Sequence, residues 1–224
     1  MSTPHHLIRE RMSPDRIAPY EQAVNGDLAA AFTLYEWNMS VSAALFETLG
    51  PVEVLLRNAI HDQLVVWHVR RGLSDQWYDH AGLDAQGRKD VARAKDRATR
   101  SGRDPEIPGK VIAELTLGFW RYLLAKRYQA TLWPAMLNAF PNHHDGPRIS
   151  RLAVHDDVQR LQVLRNRIAH HEPVYRRDLQ QDFDGMLALA SWISPDAATW
   201  VRDLSRVPAI LVLRPELPQR ADSS

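Results

Sequence analysis

Between residues 154 and 168 the side chains Val154, Val158, Leu161, Leu164 and Ile168 recur at i, i+4, i+7, i+10 and i+14, a spacing that an α-helix turns into one buried stripe. The same period governs most of the chain. Leu28 to Leu49 is rich in Ala, Leu and Phe and lacks proline. Pro51 suits the first position of a second helix running through Val52, Leu55, Leu56, Ile60 and Leu64 to about Val69, with Gly72 as its stop. Further helices are predicted over Asp84 to Arg100, Val111 to Tyr128 (Ile112, Leu115, Phe119, Tyr122 and Leu123 on one side), Leu132 to Phe140, Ile149 to His171, Leu179 to Ile193 and Pro195 to Leu204. Ser194 is placed to cap the last of these. Ser101 to Gly109 and Pro141 to Gly146 read as breaks. No alternation long enough for a sheet and no repeat interrupts this pattern, so the expected fold is all-α, a helical bundle of about seven or eight helices.

At 224 residues the chain is long enough for one domain with a real core. The expected layout is an N-terminal arm over residues 1–25, a single helical domain over 26–206 and a Pro-rich tail over 207–224, where Ala209 to Leu213 reads as a short extended piece or an arm. A composition of 45% hydrophobic and 25% charged residues is that of an ordinary globular protein. The formal charge of +1 supplies no global field for nucleic acid, so any such affinity must be local. Cysteine is absent, which excludes disulfides, thiolate metal sites and a cysteine nucleophile. The first thirty residues lack a signal-peptide pattern and no stretch approaches 18 uninterrupted apolar residues, so a cytoplasmic location is expected.

The chemistry concentrates in Leu164-Arg-Asn-Arg-Ile-Ala-His-His-Glu-Pro-Val-Tyr175. Arg165 offers a guanidinium that can hold a phosphate bidentately, His170 an imidazole that titrates near neutrality, and Asn166 an amide to orient either. Those parts suffice to cleave RNA through its own 2′-hydroxyl without a metal. Asn166 and His170 are four apart and share a helix face, whereas Arg165 and His170 are roughly 140° apart. Either the helix loosens near His170, ahead of Pro173, or a second chain completes the site. The string has a plainer reading too, since a helix C-terminus favours cationic groups.

Three other features qualify as sites. Residues 88–103 carry Arg88, Lys89, Arg93, Lys95, Arg97, Arg100 and Arg103 against Asp90 and Asp96, a local charge of +5. This run is either a phosphate-binding surface, with Arg93 and Arg97 at its centre, or a solvated helix face. Glu53 and Arg57 are four apart in the favourable order, forming an intrahelical pair or flanking the Arg165 and His170 site. No sequence spacing gathers the three or four ligands a metal needs, so no metal or cofactor is expected, and His143-His144-Asp145 is the best candidate that remains. Trp120, Trp133, Trp192 and Trp200 fall at core spacings. The common hydrolase, nucleotide and dinucleotide motifs are absent.

Three stretches together resemble the Abi-like (abortive infection) family: Pro51-Val-Glu-Val-Leu-Leu-Arg57-Asn58, Glu114-Leu-Thr-Leu-Gly-Phe-Trp-Arg-Tyr-Leu-Leu124 with Tyr128 to Pro134, and Leu164 to Tyr175. The resemblance spans roughly residues 25 to 210. That family is similar to the HEPN superfamily of helical, often dimeric, frequently metal-independent ribonucleases with toxin or antiphage roles. It implies a HEPN-like fold, a homodimer with a composite active site, RNA as partner, and Arg165, Asn166 and His170 as catalytic residues. His171 satisfies the same spacing one residue later. Tyr175 lies five residues beyond His170 rather than two, so control by tyrosine nucleotidylation is not expected. Some relatives only bind, which gives the alternative of a non-catalytic helical module for RNA or protein.

Overall fold

The computed structural model describes residues 4–218 and contains no strand among them. Twelve α-helices follow one another: α1 His5–Met12, α2 Pro14–Ala23, α3 Leu28–Val69, α4 Trp77–His80, α5 Ala85–Ala98, α6 Pro108–Glu114, α7 Leu117–Leu123, α8 Trp133–Met136, α9 Arg151–Ala169, α10 Leu179–Ile193, α11 Pro195–Leu204 and α12 Val207–Leu211. The all-α expectation holds, with twelve α-helices among the described residues where about seven or eight were expected.

The helix expected over Leu132 to Phe140 is α8 followed by a 3₁₀ turn at Leu137–Ala139, and α1, α2 and α4 were not expected; three further differences have a clear physical reason. The two helices expected on either side of Pro51 are one helix, α3. An interior proline costs about 3 kcal/mol. Leu45, Leu49, Val52 and Leu56 around it are all buried, at about 1.5–3 kcal/mol each, so burial outweighs the lost bond. The helix expected over Val111 to Tyr128 is divided into α6, α7 and a 3₁₀ turn at Lys126–Tyr128. Leu115 and Leu117 are both buried, and residues two apart share one side only on extended backbone, which Leu115 (ψ 126°) and Thr116 (ψ 163°) adopt. The Trp120 indole then donates to the freed Leu115 carbonyl at 3.3 Å. Finally, Val207–Leu211 is helical rather than extended, with Val207 buried. Residues 219–224 of the expected tail, and 1–3 of the expected arm, lie outside the described residues.

Contacts group the chain into two compact units. The first takes the residues up to Thr48, Leu164–Phe183 and those from Ser205 onward. Its core holds Ile17, Tyr20, Leu34, Val41, Leu45 and Tyr175. Arg9 pairs with Glu21 at 2.6 Å, and the Trp37 indole donates to the Ile210 carbonyl at 2.9 Å. The second unit takes Leu49–Val163 and Asp184–Leu204. Trp77, Phe119 and Trp120 form its aromatic centre, with Phe119 edge-on to Trp120 at 5.4 Å. Arg151 is buried and donates to the Leu124 carbonyl, and Ser194 accepts from the Ala197 amide as the expected cap. Trp120 and Trp133 are buried as expected, whereas Trp200 is 56% exposed, on the outward side of α11.

By length and composition α3 is apolar enough to cross a bilayer. Two of its polar members, Asn38 and Thr48, are buried and hydrogen-bonded.

Candidate active site

Ser150 accepts from the Leu152 amide at the start of α9, and Val154, Val158, Leu161 and Leu164 are buried along it as the stripe requires. Ile168, the last member, is only half-buried. The helix keeps its α-type bonding through His170, whose N–H donates to the Asn166 carbonyl at 2.9 Å. It then closes in a Schellman arrangement: the His171 N–H donates to Ile168 O at 3.0 Å and the Glu172 N–H to Arg167 O at 2.8 Å. His171 occupies the left-handed position of this motif, φ +55°, where glycine is usual. The loosening that would swing His170 toward Arg165 therefore does not occur. Asn166 and His170 stay one turn apart on one face, and Arg165 remains roughly 140° round the helix from His170.

Exposure follows this geometry. Asn166, His170 and His171 are exposed, and Arg165 is half-buried. Several anchors within the first unit fix the helix end. Arg16 donates to the His171 carbonyl at 2.6 Å. Arg167 reaches the Pro173 carbonyl at 3.3 Å and lies 3.8 Å from the Glu172 carboxylate. The buried Asn38 side-chain oxygen accepts from both the Val174 and Tyr175 amides, at 2.8 and 3.0 Å. The Tyr175 hydroxyl donates to Pro19 O at 2.6 Å. Arg16 and Asn38 carried no motif. The one available signal was an amide at a position of α3 that shares the buried side of Leu34 and Val41.

Beside the helix end lies an open groove of about 370 Å³, lined by Tyr35, Met39, Phe46, Ile168, His171 and Glu172. Met39 and Phe46 are 50% and 47% exposed, an apolar surface next to polar, titratable side chains.

The remaining predicted residues belong to the second unit. Glu53 and Arg57 line a small cavity of about 110 Å³ with Trp120, and Arg57 donates to the Asn58 side-chain oxygen at 3.2 Å. Arg93 and Arg97 project from the same side of α5, both exposed. Arg97, however, is held by Glu114, donating to its carboxylate at 2.7 Å and its carbonyl at 2.6 Å. Lys95 pairs with Asp79 and Glu106, and Arg100 with Asp104. The basic run is thus partly neutralised inside its own unit.

No known family, no curated protein and no solved structure matches this chain.

Proposed function

We propose that this protein is a metal-independent endoribonuclease of the HEPN type, acting in the cytoplasm in phage defence or as a toxin. The observation that carries the reading is the exposed end of α9, where Asn166, His170 and His171 stand on a helix terminus fixed by Arg16 and Asn38. Cleavage by 2′-hydroxyl attack forms the 2′-oxygen–phosphorus bond and breaks the bond to the 5′-oxygen. One imidazole takes the proton of the 2′-hydroxyl and another returns a proton to the leaving oxygen. Arg165 balances the charge gathered on the pentacoordinate phosphate, and Asn166 positions His170 or the phosphate. Within the second unit, Arg57, Arg93 and Arg97 are assigned phosphate contacts of their own, and Glu53 is assigned as an acceptor for a ribose hydroxyl or base amine.

The roughly 140° between Arg165 and His170 favours a homodimer, since a two-fold axis can set Arg165 of one protomer near His170 of its partner. The groove with its exposed Met39 and Phe46 adjoins the string and is the surface assigned to that second copy. The test is incubation of the purified protein with labelled RNA in EDTA. Cleavage is expected, stopped by His170→Ala with His171→Ala and by a deoxynucleotide at the scissile position. Intact RNA, or cleavage that survives both histidine changes, overturns the reading.

A second reading rests on the exposed Arg93 of α5: a non-catalytic helical module that binds RNA or a protein partner. It requires salt-sensitive binding without cleavage, indifferent to His170 and His171.

A further inference from the structure

A second open groove, of about 360 Å³, lies wholly within the second unit. One wall is the C-terminal end of α3 with the residues that follow it, presenting Gln63, Trp67, Arg70 and Arg71. The other is the stretch that carries α8, presenting Thr131 and Asn138. Gln63, Trp67 and Arg70 are spaced i, i+4 and i+7, which puts them on one helix face. The Arg70 N–H still donates to the Val66 carbonyl at 3.1 Å, so the face continues past the end of α3.

Cations just beyond a helix C-terminus often do no more than balance its dipole, and two features set this pair apart. The Arg71 guanidinium lies over the Trp67 indole, 5.0 Å from the ring centroid. The two side chains form a stacked platform that rests on a half-buried aromatic ring. Arg70 is exposed and, among the described residues, its side chain forms neither an ion pair nor a hydrogen bond. On α5, by contrast, Lys95 and Arg97 are held by carboxylates. Among the described residues no Asp or Glu lines the groove, and Gln63 and Asn138 bring amides, each with both donors and an acceptor.

We propose that this groove binds one nucleotide unit of single-stranded RNA. The base extends the stack begun by Trp67 and Arg71, Arg70 holds the phosphate, and the amides of Gln63 and Asn138 meet the base edge. It supplies an aromatic face for a base, which the basic run over residues 88–103 does not contain. A strand carries one negative charge per nucleotide, which one unpaired arginine matches. A free nucleoside triphosphate carries several, and no glycine lines the groove to cradle them. An acidic peptide would engage the arginines and leave the indole and both amides idle. The site rests on RNA as the partner in the reading above and not on its cleavage.

The experiment is fluorescence anisotropy of the full chain with a short labelled 2′-O-methyl oligonucleotide, which lacks the free 2′-hydroxyl and so is bound without being cut. Arg70→Ala and Trp67→Leu are each expected to weaken binding about tenfold, and Arg70→Ala to lower the salt slope by about 0.7. Arg71 is exposed, so Arg71→Ala should weaken binding several-fold while keeping the helical circular dichroism of the parent. Polyglutamate and ATP are expected to displace the strand poorly. The proposal is overturned by an absence of binding, or by binding unchanged in Arg70→Ala and Arg71→Ala. Displacement by polyglutamate or ATP as effective as that by unlabelled strand overturns it too. Cleavage in EDTA is scored apart. A strand bound through Trp67 and Arg70, with natural RNA left intact, keeps this site and removes the nuclease, whereas cleavage by groove variants that bind like the parent does the reverse.

Discussion

The Arg16 guanidinium donates to the main-chain carbonyl of His171 at 2.6 Å, tying the helix that begins at Pro14 to the one left-handed residue that ends α9. A histidine pays about 1 kcal/mol for that conformation and glycine does not. His171→Gly is expected to raise stability by about that amount in urea denaturation while lowering RNA cleavage. A variant that loses both stability and cleavage would show that the side chain, not the backbone, holds this corner.

Asn38 is the second fastening. Replacing it by alanine leaves the buried amides of Val174 and Tyr175 without their acceptor. A loss of about 2–4 kcal/mol is expected in chemical denaturation, from two orphaned donors at roughly 1–2 kcal/mol each. A loss under about 0.5 kcal/mol would mean that water replaces the amide oxygen without cost.

The composite-site proposal has a mixing test. Arg165→Ala and the His170→Ala, His171→Ala chain should each be inactive alone. Mixed and allowed to exchange subunits, they should recover about a quarter of parental cleavage, because half the dimers are hybrids and each hybrid keeps one intact site. No recovery, with hybrids verified by mass, places arginine and histidine on the same chain.

How much of this was legible in the chain depends on where each partner lies. The bounds of α10 and α11 agree with the sequence reading because Ser194 and Pro195 mark a helix start by local chemistry alone. Pro173 likewise announced the end of the motif helix. Pro51 misled, because its local penalty is outweighed by burial on both sides. The extended Leu115 was invisible for the opposite reason: its apolar neighbours fit a helix stripe equally well. Asn38 and Arg16 act on amides and a carbonyl 136 and 155 residues away, and no local pattern records such a pairing.

Stability should depend on pH through His61. Its Nδ1 accepts the Trp77 indole N–H at 3.0 Å, and burial holds its pKa below the ordinary 6.5. Between the two values the unfolded chain carries the extra proton, so this contribution is complete above the ordinary value and is lost as pH falls below it. His143, also lowered by burial, acts in the same direction. The urea midpoint should drop from about pH 7.5 to about pH 5, and His61→Gln should flatten part of the slope. A His61→Gln slope identical to the parent's would remove His61 from the account.

Charge reversal separates two neighbouring arginines. Arg93→Glu should weaken RNA binding and reduce its salt dependence without affecting the fold, since Arg93 is exposed. Arg97→Glu should weaken binding less for the charge it changes and also lower the melting temperature, because it breaks the link to Glu114. Equal binding losses with unchanged melting would assign both side chains to the nucleic acid.

The first unit is assembled from three separated stretches, the last beginning at Ser205. During synthesis the opening 48 residues therefore emerge long before the pieces that complete them, by roughly 10–30 s at typical elongation rates. Asn38 has no amides to receive and Arg16 no carbonyl to hold until α9 has left the ribosome. A chain proposed to attack RNA therefore lacks its fastened helix end until the stretch from Leu164 to Tyr175 has been made and can meet Arg16 and Asn38.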